Sequence, residues 1–214
     1  MNWWLHDRRS RGAAVAAPLL ISVMMIAPLR GAIIFTNVPD VNLMAGGFGG
    51  EVFHDVDLNG DGTYELQIAG RFGDFYVTTY SANRIAGISA QPPDVGGFAH
   101  PFTLGAIIDS QAPDNRSWNS GISSLLSCQE IGCIGLWTSG GTNYVGIDFQ
   151  LQTGTHYGWV AIEMQFLFGG GHLLSYAYES QPNEPIIAGA IPEPSSSVFV
   201  GVATASLLLR RRRK

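Results

Sequence analysis

The sequence predicts an all-β protein: an antiparallel β-sandwich of jelly-roll type, flanked by an N-terminal signal peptide and a short C-terminal transmembrane helix. Short segments of alternating apolar and polar residues fill the middle of the chain, and Gly-rich stretches separate them. An apolar run lies near each terminus. Antiparallel strands with one solvated face pack readily into sandwiches, which favours this architecture for the body of the chain.

Two segments alternate most regularly, Tyr144 to Leu151 and Tyr157 to Phe166, and Gln152 to Thr155 between them has the composition of a hairpin turn. The residues expected to face the core are Val145, Ile147, Phe149, Leu151, Val160, Ile162, Met164 and Phe166. The further strand candidates are Tyr64 to Ile68, Phe75 to Tyr80, Phe102 to Ile108 and Leu173 to Tyr178. We therefore place a β-sandwich domain at residues 33–180.

Residues 1–32 are predicted to be a signal peptide. Arg8, Arg9 and Arg11 form a positive start, and the apolar stretch from Ala13 to Ala27 has the length of a secretory h-region. A buried N-terminal helix is the alternative interpretation.

The body between the two termini is strongly acidic. From Ile33 to Ile191 it contains three arginines, no lysine and 15 acidic residues, a formal charge of −12. Nucleic-acid binding depends on cationic side chains that neutralise phosphates, so this charge argues against a nucleic-acid partner. It favours divalent cations and solubility outside the cell.

Cys128 and Cys133 are the two cysteines of the chain. An exported protein meets an oxidising compartment, which favours a disulfide bond between them. Two free or partly buried thiols are the alternative.

The motif with the clearest chemical meaning runs from Asp55 to Leu66. Closely spaced oxygen side chains on a loop suit Ca²⁺, which takes six to eight oxygen ligands in irregular geometry. An EF-hand starting at Asp55 would need a glutamate where Leu66 stands.

The run that starts at Asp57 resembles the calcium loops between β-strands in FG-GAP repeats. That resemblance implies a structural Ca²⁺ with the ligands Asp57, Asn59, Asp61, Thr63 (through its carbonyl) and Glu65, and with Asp55 as an additional candidate. An ion-free Asp/Asn/Gly-rich turn is the alternative.

The C-terminal residues 191–214 combine three ordered parts. Pro192, Glu193 and Pro194 precede an apolar run from Ser195 to Leu209, and the basic residues Arg210, Arg211, Arg212, Arg213 and Lys214 follow. The apolar run partitions into lipid and the basic residues act as a membrane stop on the cytoplasmic side. As a helix the 15 residues span roughly 22 Å, less than the bilayer core of about 30 Å. The run therefore indicates a temporary anchor, joined to the body by a linker at residues 181–190.

This arrangement resembles the PEP-CTERM sorting signal of exported bacterial proteins. The resemblance implies cleavage at Pro192, Glu193 and Pro194 by a membrane-embedded transpeptidase, the exosortase, after transient residence in the inner membrane. The mature protein would then reach the outer surface or extracellular space. The segments Tyr157 to Val160, Tyr176 to Glu179 and Ile186 to Gly189 also resemble a pattern in PEP-CTERM proteins of environmental Gram-negative bacteria. An ordinary single-pass anchor is the alternative.

The body offers few candidates for catalysis. It has no nucleophile elbow, phosphate loop or dinucleotide fingerprint. Asp148 and Glu163 are expected on one solvated face, the kind of carboxylate pair that glycosidases use. Tyr157 and Trp159 beside Asp148 would form a glycan-stacking platform, unless a second sheet or a loop covers them.

We therefore expect a non-enzymatic, exported protein of the cell surface or extracellular matrix, with extracellular polysaccharide as a candidate partner. A carbohydrate-binding module with the same sorting signal is the alternative, and a secreted polysaccharide hydrolase is less favoured.

Overall fold

Strands make up all the regular secondary structure that the structure, a computed structural model, describes. The described residues are 31–43, 50–71, 74–88, 97–113, 116–129, 132–137, 140–165 and 170–192, and they belong to one unit, Gly31–Lys214. The strands are β1 (Ile33–Asn42), β2 (Glu51–Val56), β3 (Leu66–Arg71), β4 (Asp74–Thr79), β5 (Arg84–Ile88), β6 (Gly97–Ala99), β7 (Pro101–Phe102), β8 (Ile107–Ile108), β9 (Ser117–Asn119), β10 (Ile122–Gln129), β11 (Gly132–Gly135), β12 (Gly141–Leu151), β13 (Gly154–Gln165), β14 (Gly170–Glu179) and β15 (Ile186–Ile187). The all-β prediction is confirmed.

Thirteen of these strands form one sheet, in the order β1-β14-β13-β12-β5-β6-β10-β4-β3-β2, with β7 paired to β12, β9 to β5 and β11 to β10. The β6–β10 pair is parallel and the other pairs are antiparallel, so the sheet is mixed. It is strongly curled into a half-barrel. The sequence predicts a sandwich with two separate layers. In the structure the short strands β5 and β6 pair with each other and with β12 and β10, so they connect the two ends into one continuous sheet.

The β12–β13 hairpin is the longest ladder, with Gly141 opposite Met164 at one end and Leu151 opposite Gly154 at the other. A two-residue turn, Gln152–Thr153, connects the strands. The predicted alternation is confirmed on the inner face, where the buried residues are Val145, Ile147, Phe149, Val160, Ile162 and Met164. This face is apolar because every second residue of each strand points to the same side.

One core joins the two ends of the curled sheet. The buried residues of its first part, β2 to β4 and the loop after β2, are Val56, Leu58, Leu66, Ile68, Phe75 and Val77. They belong to the same cluster as the inner face of β12 and β13. The curl is therefore what allows a single sheet to bury its apolar face against itself.

The middle of the outer face of β12 and β13 is also buried, as in the alternative in which a second sheet covers Tyr157 and Trp159. The small second sheet, β8 with β15, contributes Ile108 and Ile186 to a cluster that contains Tyr144, Tyr157 and Trp159. Residues 181–190, predicted to be a linker, therefore include a strand. Ile186 and Ala188 are 1% and 0% exposed, so this segment packs as part of the body.

Two hydrogen bonds join the start of the described chain to Ser180, the residue after β14. Ala32, predicted to end the signal peptide, donates its N–H to Ser180 Oγ at 2.9 Å and accepts the Ser180 N–H at 3.1 Å. Residues 1–30 of the predicted signal peptide and the predicted transmembrane helix lie outside the described residues. In the part of the chain that is described, no helix is long and apolar enough to cross a membrane.

The packing of β15 makes a stability prediction. Ile186→Ala should lower the free energy of unfolding by about 2–4 kcal/mol, because it leaves a cavity under the small sheet. Ile187→Ala, at the neighbouring residue that is 50% exposed, is the matched control and should cost less than about 1 kcal/mol. Urea unfolding of the full-length chain measures both values. Equal, small losses would contradict the packing of residues 181–190 on the body.

Candidate metal centre

The predicted calcium loop is the connection between β2 and β3. Val56 and Leu66 are paired at the ends of the two strands, and the Glu65 N–H donates to the Val56 carbonyl at 3.0 Å. Leu58 is 2% exposed and belongs to the main core cluster. Because Leu58 and Glu65 are buried, both ends of the loop are fixed to the body, and residues 60–64 between them project towards solvent.

Three carboxylates of this loop converge. One ligand atom from each of Asp57, Asp61 and Glu65 lies within 4.8 Å of the others. Oxygens that share a Ca²⁺ ion are each about 2.3–2.6 Å from it, so any two of them are at most about 5 Å apart. The separations fit this requirement. The structure therefore brings together the three acidic members of the predicted ligand set.

Backbone N–H groups hold the Asp57 carboxylate in place. Its Oδ1 accepts from Gly60 at 2.7 Å and from Asp61 at 3.2 Å, and its Oδ2 accepts from Gly62 at 2.8 Å. The loop can wrap around the carboxylate because Gly60 and Gly62 adopt φ values of 74° and 86°, a region that residues with a Cβ rarely enter. Asp57 Oδ2, with one such donor, has a lone pair left for a cation.

Asn59 lies between the other two carboxylates. Its Nδ2 donates to Asp61 Oδ2 at 3.1 Å and to Glu65 Oε1 at 3.4 Å, and its Oδ1 accepts the Asp61 N–H at 2.8 Å. The amide NH₂ thus supplies positive partial charge to both carboxylates. To serve as the predicted oxygen ligand, the Asn59 amide has to rotate. Thr63 takes part through its N–H, which donates to Asp61 Oδ1 at 2.7 Å.

The pKa values of Glu65 and Asp61 are shifted in opposite directions. Burial raises the pKa of Glu65 to about 7. The hydrogen bond that the Leu58 N–H donates to Glu65 Oε2 at 2.6 Å opposes this rise, and the negative charges of Asp57 and Asp61 reinforce it. The pKa of Asp61 is lowered, because the Thr63 N–H and then the Asn59 amide donate hydrogen bonds to it. Near neutral pH the protonated and ionised forms of Glu65 are therefore both populated.

Asp55, the additional candidate, lies outside this group. Its Oδ1 accepts hydrogen bonds from Gln67 Nε2 at 2.8 Å and from the Tyr80 hydroxyl at 2.9 Å. Gln67 lies in β3 and Tyr80 directly follows β4, so these partners direct the Asp55 carboxylate across the sheet.

Asn83 supports the loop from a distant part of the sequence. Its Nδ2 donates to the Glu65 carbonyl at 3.2 Å, and its Oδ1 accepts the Gln150 N–H at 3.4 Å. Asn83 is 7% exposed and links the end of the loop to β12. The motif gives no sign of it, since Asn83 lies 18 residues beyond Glu65.

The predicted glycan platform is not exposed. Tyr157 and Trp159 are 4% and 1% exposed beneath the β8–β15 sheet, so the alternative in which a second sheet covers them is the one observed. Asp148 is 2% exposed and forms a bidentate ion pair with Arg84 of β5. Burial raises the pKa of Asp148, while the hydrogen bonds and charge of Arg84 oppose this shift.

The prediction that Asp148 and Glu163 form a close carboxylate pair is wrong, because they lie far apart along the ladder. Asp148 is opposite Tyr157, whereas Glu163 is opposite Thr142, six positions further along the ladder. At about 3.3 Å per residue the two carboxylates are roughly 20 Å apart along the strands, too far for the separation of about 5–9.5 Å that glycosidases use. Glu163 is exposed and Asp148 is buried, so they also lie in different surroundings.

The predicted disulfide lies in the β10–β11 hairpin. Cys128 and Cys133 are Cα partners in this antiparallel ladder, and Cys133 is disulfide-bonded. The register and this bonding state are those that the predicted bridge requires.

The processing and membrane-stop residues lie almost entirely outside the described part of the chain. Pro192 is described and exposed, directly after Ile191, which is 60% exposed. Glu193, Pro194 and the membrane stop, Arg210 to Arg213, lie beyond it.

No protein-family model matches the chain, and neither a curated protein nor a solved structure matches it significantly.

Calcium should stabilise the protein through the loop. At a millimolar Ca²⁺ concentration about tenfold above the dissociation constant, the free energy of unfolding should rise by about 1–2 kcal/mol and the melting temperature by roughly 3–6 °C. Asp57→Asn and Asp61→Asn should abolish this increase, because each removes a converging carboxylate. Asp55→Asn, two residues before the loop, is the matched control and should keep it. Calorimetry and thermal melts in EGTA and in Ca²⁺ measure the effect.

Wild-type protein that melts at the same temperature in EGTA and in millimolar Ca²⁺ would contradict calcium binding and would favour the ion-free turn.

The pH dependence of the calcium-free protein should show the burial of Glu65. Its pKa in the folded protein, about 7, exceeds the ordinary value of 4.5, so the folded state keeps a proton that the unfolded chain has released. This contribution to stability is complete below about pH 4.5 and is lost as the pH rises through 7, on the order of 2 kcal/mol. Glu65→Gln should remove this loss. Urea unfolding in EGTA between pH 5 and 8 tests it, and parallel curves for the two proteins would contradict it.

Proposed function

We propose that this is an exported, non-enzymatic protein of the cell surface or extracellular matrix, processed at Pro192, Glu193 and Pro194. In this proposal the signal peptide directs export, the apolar run holds the chain in the inner membrane for a time, and an exosortase-type transpeptidase cuts it there. The mature acidic body is then released or transferred to the outside of the cell.

The order of the C-terminal parts carries this proposal: Pro-Glu-Pro, apolar run, basic stop. The fold supports it at one point. The packed body ends at about Ala190, and the following residues, Ile191 and Pro192, are exposed. A processing enzyme needs an accessible, extended junction, which prolines favour because they block helix formation around themselves.

The charge of the body and its acidic loop fit a stable protein outside the cell. Its formal charge of −12 opposes association with anionic polymers and favours divalent cations. We propose that Asp57, Asp61 and Glu65 hold a structural Ca²⁺, with oxygens from Asn59 and Thr63 completing the set. The ion would neutralise the three carboxylates and tighten the β2–β3 connection. We also propose that the two ends of the curled sheet act as the two layers of a jelly-roll-type sandwich.

The structure weakens the two alternatives, a carbohydrate-binding module and a polysaccharide hydrolase, because the residues on which they are based are buried or far apart. A carbohydrate-binding surface built on Tyr157 and Trp159 would require the β8–β15 sheet to move away, since both rings are buried. A hydrolase based on Asp148 and Glu163 lacks a pair at catalytic separation. These observations favour the non-enzymatic role.

Mass spectrometry of the protein isolated from native cells tests the proposal. We expect a mature chain that has lost the N-terminal apolar run and ends at or near Pro192 to Pro194. Replacing Pro192, Glu193 and Pro194 with alanine should leave the Arg-rich tail attached and the protein in the membrane fraction. A mature wild-type chain that retains Arg210 to Lys214 would overturn the proposal and favour an ordinary single-pass anchor.

A further inference from the structure

The small β8–β15 sheet has one buried face and one exposed apolar face. Ile108 and Ile186 are paired, and each is 1% exposed. Ile107 and Ile187 are also paired and face the other way, at 62% and 50% exposed. Side chains directly opposite each other in such a pair are about 5 Å apart. The two exposed isoleucines therefore form a continuous apolar surface where polar residues are usual.

Two further exposed apolar residues, Leu104 and Ile191, lie beside or directly after the turn that follows β15. Leu104 is 73% exposed, and its side chain lies so close to Gly189 that a Cβ there would overlap it. Gly189, with φ at 77°, makes the turn after Ile187, in which the Ala190 N–H donates to the Ile187 carbonyl at 3.0 Å. Ile191, 60% exposed, follows this turn. We call Leu104, Ile107, Ile187 and Ile191 the apolar patch.

The patch lies next to the point where the chain leaves the body. Three residues, Pro192 to Pro194, separate Ile191 from the apolar run that starts at Ser195. Fully extended, this connection spans at most about 14 Å. The headgroup layer on one side of a bilayer is about 5–8 Å thick. Once residues 195–209 enter the membrane, Ile191 therefore has to lie at or close to the lipid surface.

The shortness of the apolar run also favours a position of Ile191 close to the lipid. As a helix of roughly 22 Å it would be about 8 Å shorter than the bilayer core, a mismatch that draws flanking residues towards the lipid. Ile191 is the apolar residue on the body side of the Pro192 to Pro194 connection, and it follows Ile187 by four residues. The body carries a formal charge of −12, so attraction to anionic headgroups cannot supply the contact. Apolar side chains can supply it on a zwitterionic surface.

We propose that the apolar patch docks the body onto a zwitterionic phospholipid bilayer while the C-terminal run is still in the membrane. The proposal rests on the proposed function, in which residues 195–209 cross the bilayer. Docking would hold the junction at Pro192 to Pro194 within the headgroup layer, at the depth where a membrane-embedded enzyme acts.

Photolabelling of the full-length chain tests this. The chain is reconstituted into phosphatidylcholine vesicles that contain a phosphatidylcholine with a diazirine at the top of its acyl chain. We expect lipid adducts on Leu104, Ile107 and Ile187, several-fold above those on Ile122 and Ile134. These two isoleucines are matched controls, because each is 60% exposed on β10 or β11. The adducts should persist at high salt, since the contact is apolar.

Variants separate docking from simple proximity. Ile107→Ser combined with Ile187→Ser should lower the labelling of Leu104 several-fold, because the body lifts away from the lipid. Ile122→Ser combined with Ile134→Ser should leave it unchanged. Both variants should keep the labelling of residues 195–209 and the wild-type circular dichroism spectrum.

The outcomes distinguish the two proposals. Labelling of residues 195–209 with the patch at the level of the control sites would overturn docking and leave the membrane anchor intact. Absence of labelling at both places would overturn the anchor, and docking with it. Patch labelling that falls as protein density rises, with crosslinks between patches of two molecules, would identify a second copy as the occupant and overturn docking on lipid.

Discussion

The burial of both faces of the β12–β13 hairpin is the constraint on which the rest of the structure depends. Its inner face packs against residues from the opposite end of the curled sheet, and its outer face carries a cluster of aromatic rings that only a second layer can cover. The sheet has to curl to satisfy the first face, and β15 has to fold back with β8 to satisfy the second. This return of the chain determines where the C-terminal junction emerges.

The acidic loop between β2 and β3, the proposed calcium site, also depends on this arrangement. Leu58 anchors the loop in the shared core, and Asn83 ties Glu65 to β12, so the acidic group is held by the sheet as well as by its own turn. Burial of Glu65 beside two other carboxylates is costly unless a proton or a cation accompanies it. The fold thus maintains a local excess of negative charge, which is the condition under which a divalent cation would stabilise the loop.

Sequence reasoning succeeded where the determinants are local. Alternation located β12 and β13 with their inward faces, and the spacing of Asp57, Asp61 and Glu65 over nine residues allowed them to converge within one turn. It failed where distant segments meet. The pattern at Tyr157 and Trp159 cannot show that Ile186, almost 30 residues later, covers their face. For the same reason Asp148 was expected in solvent, although Arg84 pairs with it from β5.

Hydrogen–deuterium exchange of the full-length chain tests the central claim most directly, because it measures whether β15 is docked on the hairpin. The Ala188 N–H donates to the Ala106 carbonyl at 2.8 Å, and the Asn183 N–H donates to the Thr155 carbonyl at 2.8 Å. We expect both amides to be protected well above the level of an unstructured peptide, although less than the centre of β13. Exchange of residues 181–190 at the rate of a free linker would contradict this account of the fold and of the junction that it positions.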